Sequence, residues 1–437
     1  MRLKKNISGR KSEQGIIITL VAVFILCVIG AMAALSIDVV TLYTARSEAQ
    51  LAADSAALAA ARVLANSGIT SEAGGGLVAA ADTLAQGVAL QVAGQNQVGG
   101  SSLTAVSVVF GGTDTNPTVT VSVQKTDLPT FFARIWGTKF VTVGASATAE
   151  AYNPSPNAGG TSTGGPPVAP ICVKPWLLPN LDPSNTGSTT APIFDPTSGA
   201  IQTTTLLGWS STDPSGVPMT LACASANGTC TVPLTPSTTL QPWSYFPGDD
   251  GTTFPHPINS QPSCNPALTT NYQESVAGCI EIPISCSSPA KKPANIDTQP
   301  YPNPSRNSDT ADAVNCLTHA TAGKGDTVAS KAPPVAPFQF VAGADNPITG
   351  TASKDVMVSD SLVTVPVFDV TNYSPNVPSV PIIGFVQLFL NPDGNATLPS
   401  GAVNTTVINL VGCGTSATGT PILGNGASPV AVRLISP

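Results

Sequence analysis

The residues of this chain with the most chemical potential are its cysteines. There are nine in 437 residues, and all but Cys27 fall late, at Cys172, Cys223, Cys230, Cys264, Cys279, Cys286, Cys316 and Cys413. Thiols can hold a metal, act as nucleophiles or crosslink. A zinc site is poorly supported, because no CxxC spacing occurs and His256 and His319 are the only histidines. Both histidines sit among turn residues, Pro255-His256-Pro257 and Thr318-His319-Ala320, which gives a His-based nucleophile no supporting pattern. Nucleophile-elbow, zinc-protease, phosphate-loop and dinucleotide motifs are missing as well. Asp249-Asp250-Gly251 has the form of a turn rather than a calcium loop. Crosslinking remains. An even set of cysteines in an oxidising compartment reads as a disulfide framework, with about a hundred possible connectivities. Equal six-residue spacers favour Cys223 with Cys230 and Cys279 with Cys286 as local loops. The chain therefore reads as non-enzymatic, with no cofactor and no bound metal.

Something must carry these cysteines out of the cytoplasm. Gly15 to Ile37 contains no charged residue, and as a helix it spans roughly 35 Å, enough for a bilayer core. Arg2, Lys4, Lys5, Arg10 and Lys11 precede it, against Glu13 alone. That bias keeps the N-terminus cytoplasmic and sends the bulk of the chain to a periplasmic or extracellular space. The expectation is a single-pass protein of the inner (cytoplasmic) membrane. Ala31-Met32-Ala33 has the form of a signal-peptidase site. An uncleaved anchor is favoured, since the apolar run is long and a cut there would fall inside an unbroken helix.

From Ala31 to Asn66 there is neither Pro nor Gly, and alanine dominates, so the helix continues beyond the membrane. Leu42, Ala45, Ala49, Ala52, Ala56, Ala59 and Val63 recur at steps of three and four, forming a packing seam. A second row, Ala53, Ala57, Ala60 and Leu64, widens it. The small side chains permit close approach, either to the rest of the chain or to a second subunit, self-association included.

The same residues resemble the N-terminal region of TadE/TadG-like pilus-assembly proteins. The resemblance rests on Gln14-Gly15 opening the uncharged span, then Asp38, Tyr43, Arg46 and the run from Gln50 to Ala61, QLAADSAALAAA. It implies a membrane-anchored bacterial protein, with no enzymatic activity, partnered by the bilayer and by Tad (Flp) pilus or related surface-secretion machinery. Prepilin-type processing after Gly15 lacks its glutamate, since Thr19 and Leu20 stand there. A von Willebrand factor A domain, carried by some TadG-like proteins, is imitated by Asp182-Pro183-Ser184-Asn185-Thr186. No buried strand precedes that segment, and the domain is not expected.

The remaining order follows from periodicity. A second helix is expected over about Leu77–Ala93, then strands at Leu103–Phe110 and Thr118–Gln124, a short helix in TFFARIWG after Pro129, and a strand at Phe140–Glu150. The short helix and the alanine-alternating strand after it extend the family resemblance to about Ala151. Asn153 to Pro167 reads as an extended, mobile linker. From Ile171 to Lys331 no pattern is sustained. Strand patterns return at Ser361–Val370, Val380–Leu390, Val403–Cys413 and Val430–Ile435, with Val380–Leu390 central.

The expected class is α+β: a transmembrane helix continuing into a long Ala-rich helix on a small antiparallel sheet, pilin-like by analogy. A β-rich, loop-rich, disulfide-containing domain follows. The expected divisions are a basic tail at 1–14, the span at 15–37, the α+β domain at 38–151, a linker at 152–167 and the outer domain at 168–437. Charged residues make up 10% of the chain and the formal charge is −7, which excludes nucleic-acid binding. The alternative function is a surface adhesin or glycan-binding module on a generic anchor, with Trp176, Trp209, Trp243 and Tyr245 as contacts. Sequons at Asn227, Asn372, Asn395 and Asn404 read as chance matches in a Ser/Thr-rich chain.

Overall fold

A computed structural model describes residues 10–71, 78–113, 115–155, 166–185, 191–203, 205–207, 217–221, 243–247, 264, 267–278, 283–284, 286, 305–320, 324–328, 338–372, 381–391, 401–413, 422–423 and 428–436. Helix α1, Arg10–Asn66, is one unbroken rod through the apolar span and the alanine-rich half. It stops at Gly68, whose φ of 83° suits glycine. Helix α2, Val78–Gln95, lies along it. Their contact uses the small residues of α2, because Ala81, Ala85, Ala89 and Ala93 are fully buried while Leu84, Val88 and Val92 are half-exposed.

Strands β1, Ala105–Thr113, β2, Asn116–Pro129, and β3, Phe140–Tyr152, form an antiparallel meander against α1. Alternation decides which face is covered. Val119, Val121 and Val123 of β2 and Ala147, Ala149 and Ala151 of β3 point into the core shared with the helix. Alanine on both sides brings helix and sheet close together. The other face carries hydroxyl pairs, Thr120 with Thr148 at 2.9 Å and Ser122 with Ser146 at 3.0 Å. Instead of a short α-helix, the β2–β3 connection contains a 3-10 turn, Ala133–Trp136.

The outer region is a closed six-stranded barrel. Its strands are β4, Trp176–Pro179, β5, Val217–Leu221, β6, Ser244–Pro247, β7, Leu362–Phe368, β8, Ile382–Leu390, and β9, Val403–Gly412. Around the barrel they run β7-β8-β9-β5-β6-β4. The expected central position of the most apolar run holds: β8 lies between β7 and β9 and is buried throughout. Gly412 is fixed by space, because a Cβ there would collide with the carbonyl oxygen of Gly199.

Two helices lie in the stretch where no pattern was sustained: α3, Asn271–Ala277, and α4, Ser305–Leu317. Helix α3 opens with a capping box between Thr270 and Gln273, a Thr-x-x-Gln signal that the sequence carried. Trp176 Nε1 donates to the Tyr272 hydroxyl at 3.0 Å, and that hydroxyl pairs with Thr310 at 2.9 Å, joining barrel, α3 and α4.

Cys264 is bonded to Cys316 and Cys286 to Cys413, with Cα–Cα separations of 5.4 and 5.5 Å. Cys172 is disulfide-bonded too. Cys223, Cys230 and Cys279 lie outside the described residues. The expected local loop from Cys279 to Cys286 is corrected: Cys286 reaches the end of β9 instead. Equal spacers say nothing about which segments the barrel brings together.

The last strand, β10, Ala431–Ser436, does not end in the barrel. It pairs antiparallel with β3 and completes the four-stranded sheet under α1, in the order β10-β3-β2-β1. Arg433 stands opposite Glu150 in this register, forms an ion pair with it, and lies 5.2 Å from the Tyr152 ring centroid. Burial raises the Tyr152 hydroxyl to about 12. The chain thus returns to its first sheet, across the division expected at 152–167.

Candidate functional site: the long helix and its docking faces

Among the described residues, helix α1 meets the rest of the chain along three main stretches. The lowest is at Asp38, directly after the uncharged span. Its carboxylate accepts the backbone N–H groups of Phe131, Phe132 and Ala133 at 2.9, 3.0 and 2.7 Å. These open the 3-10 turn, so an acidic partner satisfies donors that the turn cannot pair internally. Asp38 is 4% exposed.

Above it lies the alanine seam. Ala45, Ala49, Ala52, Ala56 and Val63 are buried, whereas Leu42 and Ala59 are half-buried. Ala53, Ala57, Ala60 and Leu64 are fully buried beside them. What covers this face is the chain's own sheet and α2. Polar residues at its margin fasten it: Gly99 N–H donates to Glu48 at 2.7 Å, and Gln50 Nε2 donates to the Ser146 carbonyl at 3.3 Å. The opposite face remains open, with Val40, Tyr43 and Leu51 at 64%, 78% and 65% exposure.

The upper end of α1 enters the barrel wall. Asn409 Nδ2 donates to the Ala65 carbonyl and to Gln387 Oε1, each at 2.6 Å. Gln387 Nε2 donates to Asn66 Oδ1 at 3.1 Å, while Thr70 and Ser71 donate to Asn409 Oδ1 at 3.3 Å. Asn153 Nδ2 donates to the carbonyls of Thr70 and Leu410 at 3.1 and 3.0 Å. Asn153 and Ser155, the first described residues of the expected linker, are therefore buried parts of the junction. Such a network costs much to break, since every member loses a partner where water cannot replace it.

Beside this junction an apolar groove runs between α1, α2 and the Met357–Val358 segment. Leu58, Arg62, Val88, Val92, Met357 and Val432 are among its lining residues. Among the described residues no cluster of three metal-ligating side chains occurs.

Other residues singled out by sequence have ordinary structural roles. Trp176, Trp243 and Tyr245 are buried, at 0, 3 and 0% exposure, and line the barrel core. Trp209, His256, Asn227, Asn395 and the Asp249–Asp250 pair lie outside the described residues. Asn404 is 6% exposed, so its sequon is closed to modification in the folded state. Asp182 caps its own turn, accepting Ser184 N–H at 2.8 Å and its hydroxyl at 2.6 Å.

His319, which the sequence placed in a turn, and Lys174, which sequence patterning did not mark, both have shifted titration. His319, in the left-handed region at φ 49°, faces Asp360 at 3.3 Å; that hydrogen bond raises the imidazole above its usual range. Lys174 is buried, with Nζ donating to the Gly278 carbonyl at 2.6 Å, and desolvation lowers its ammonium to about 8.

Fold and site together define a class: a head of helices, sheet and disulfide-stapled barrel, built on one helix long and apolar enough to cross a membrane. Residues 17–63 match the family described as putative Flp pilus-assembly TadE/G-like. The matched segment is the apolar half of α1, Asp38 and nearly the whole seam. Comparison with curated proteins and with solved structures gives no match.

Proposed function

We propose that the chain is a non-enzymatic, single-pass component or accessory of Tad/Flp pilus assembly, or of a related surface-secretion apparatus. Its N-terminus lies in the cytoplasm and its head in the periplasm or beyond, following the basic flank. The carrying observation is that the family match, 17–63, coincides with one continuous helix. Half of that helix is apolar and exposed, and half is packed on its own head.

Because Ala52 and Ala56 are covered by the chain itself, a partner is met elsewhere. The open face of α1 at Val40, Tyr43 and Leu51 lies just beyond the apolar span. The 38–151 unit with β10 forms the base of the head, and the barrel is presented outward from it.

The test is affinity purification of the tagged full chain from solubilised membranes, together with pilus counts in a deletion strain. Co-purifying pilus-assembly proteins and loss of pili are expected. Normal pili and no assembly protein in the purified fraction would overturn the proposal. Tyr43→Ala with Leu51→Glu should reduce recovery of partners while leaving the head folded.

A further inference from the structure

The turn held by Asp38 exposes two large apolar side chains. Phe131 and Phe140 are 63% and 61% exposed, although both flank a well-fastened connection. Thr130 N–H donates to the Lys139 carbonyl at 3.2 Å, and Thr138 N–H to the Ala133 carbonyl at 3.2 Å. Arg134 and Lys139 are exposed beside them. Exposed phenylalanine on a rigid turn is unfavourable in water, since each ring leaves a large apolar area uncovered.

The position of the turn along α1 indicates what covers these rings. Asp38 immediately follows the uncharged span, and its three hydrogen bonds fix the turn at that level. Ala34, one helical turn lower on the same face, is the only buried residue described between Gly15 and Ile37. Chain packed on α1 therefore reaches into the apolar span itself. Gly15 to Ala34 rises roughly 28 Å along the helix, against a hydrocarbon core of about 30 Å. That is the depth of the outer interface, where aromatic rings and basic side chains are favoured together.

We infer that the Pro129–Phe140 connection is a second membrane contact, seated in the outer interface with Phe131 and Phe140 in the acyl boundary and Arg134 and Lys139 among lipid phosphates. It rests on α1 spanning the bilayer. Two points of contact set the tilt of the head, which a single helix would leave undetermined.

Spin-label accessibility tests it on the full chain reconstituted in phosphatidylethanolamine–phosphatidylglycerol vesicles. One sample is labelled without reductant at native Cys27, which lies inside the span and is the free thiol among the described cysteines. Others carry Cys27→Ser with Phe131→Cys, Phe140→Cys or, as an aqueous reference at the far end of the sheet, Thr113→Cys. The ratio of oxygen to nickel-chelate collisions at 131 and 140 should resemble that at 27 and exceed that at 113 several-fold. A lipid-like ratio at 27 with water-like ratios at 131 and 140 overturns the inference alone. A water-like ratio at 27 overturns the spanning helix beneath it. Asp38→Ala should loosen the turn and return the label at 131 toward the aqueous value; an unchanged ratio would show that Asp38 does not hold it there.

Discussion

Asn409, deep in strand β9, donates through Nδ2 to the carbonyl of Ala65 at 2.6 Å, joining the barrel to the last turn of the long helix across 344 residues of sequence. The helix end would otherwise leave carbonyls unpaired. The barrel supplies the missing donor, so rod and barrel are fastened by directional bonds as well as apolar contact.

Asn409→Ala removes that donor and takes one partner each from the Ala65 carbonyl, Gln387 Oε1 and the hydroxyls of Thr70 and Ser71, all buried. A loss of about 1–3 kcal/mol is expected for one unsatisfied buried group, with more if several go unpaired. Denaturant unfolding in detergent checks it. A Gln387→Ala, Asn409→Ala double variant should cost less than the sum of the singles, because the two residues share a bond.

Enlarging the seam should hurt only on the covered face. Ala52→Leu or Ala56→Leu forces a larger side chain into a fully buried position of the seam, for about 1–3 kcal/mol of destabilisation. Leu51→Ala, next door but 65% exposed, should stay within roughly 0.5 kcal/mol. Melting curves of the three variants separate covered from open face. Equal effects at 51 and 52 would contradict the packing.

Cys413→Ser releases the end of β9 from Cys286. Removing such a crosslink typically costs about 2–4 kcal/mol. Non-reducing peptide mapping should recover the Cys286–Cys413 and Cys264–Cys316 peptides in the parent chain. A Cys279–Cys286 peptide would contradict the fold of this region.

Two groups should tilt the pH dependence of stability in opposite senses. His319 has a folded value raised by Asp360. Its contribution is complete below the unfolded value near 6.5 and declines as pH rises through the folded one. Lys174 is depressed to about 8 from 10.5. Between those values the unfolded chain binds more protons, so stability rises with pH. Melting temperatures of His319→Gln and Lys174→Met should each flatten the corresponding limb of the parent profile.

Much of the helical and sheet framework was legible in sequence, and the reasons are physical. The charge-free run from Gly15, the alanine rows to Val63 and the apolar run ending at Leu390 each carry their period on one continuous element. Two features resisted. The pairing of Cys286 with Cys413 and the return of β10 to β3 depend on where distant segments meet, which local spacing does not encode. The polar junction around Asn409 has a different cause. Single Asn, Gln and Ser residues inside apolar strands look like weak points until the helix end they satisfy is in place. Asp38 was visible as part of the family resemblance, but its role needed the turn at Phe131–Ala133.

The central claim is that the intact chain stays in the membrane with its head on the outer side. Carbonate-washed membranes of intact cells, combined with thiol labelling by a reagent confined to the cytoplasm and mass analysis of the recovered chain, test it most directly. Full-length protein in the pellet, with the head cysteines unlabelled, is the expected result. A soluble chain beginning near Ala34, or head cysteines alkylated from the cytoplasm, would contradict it.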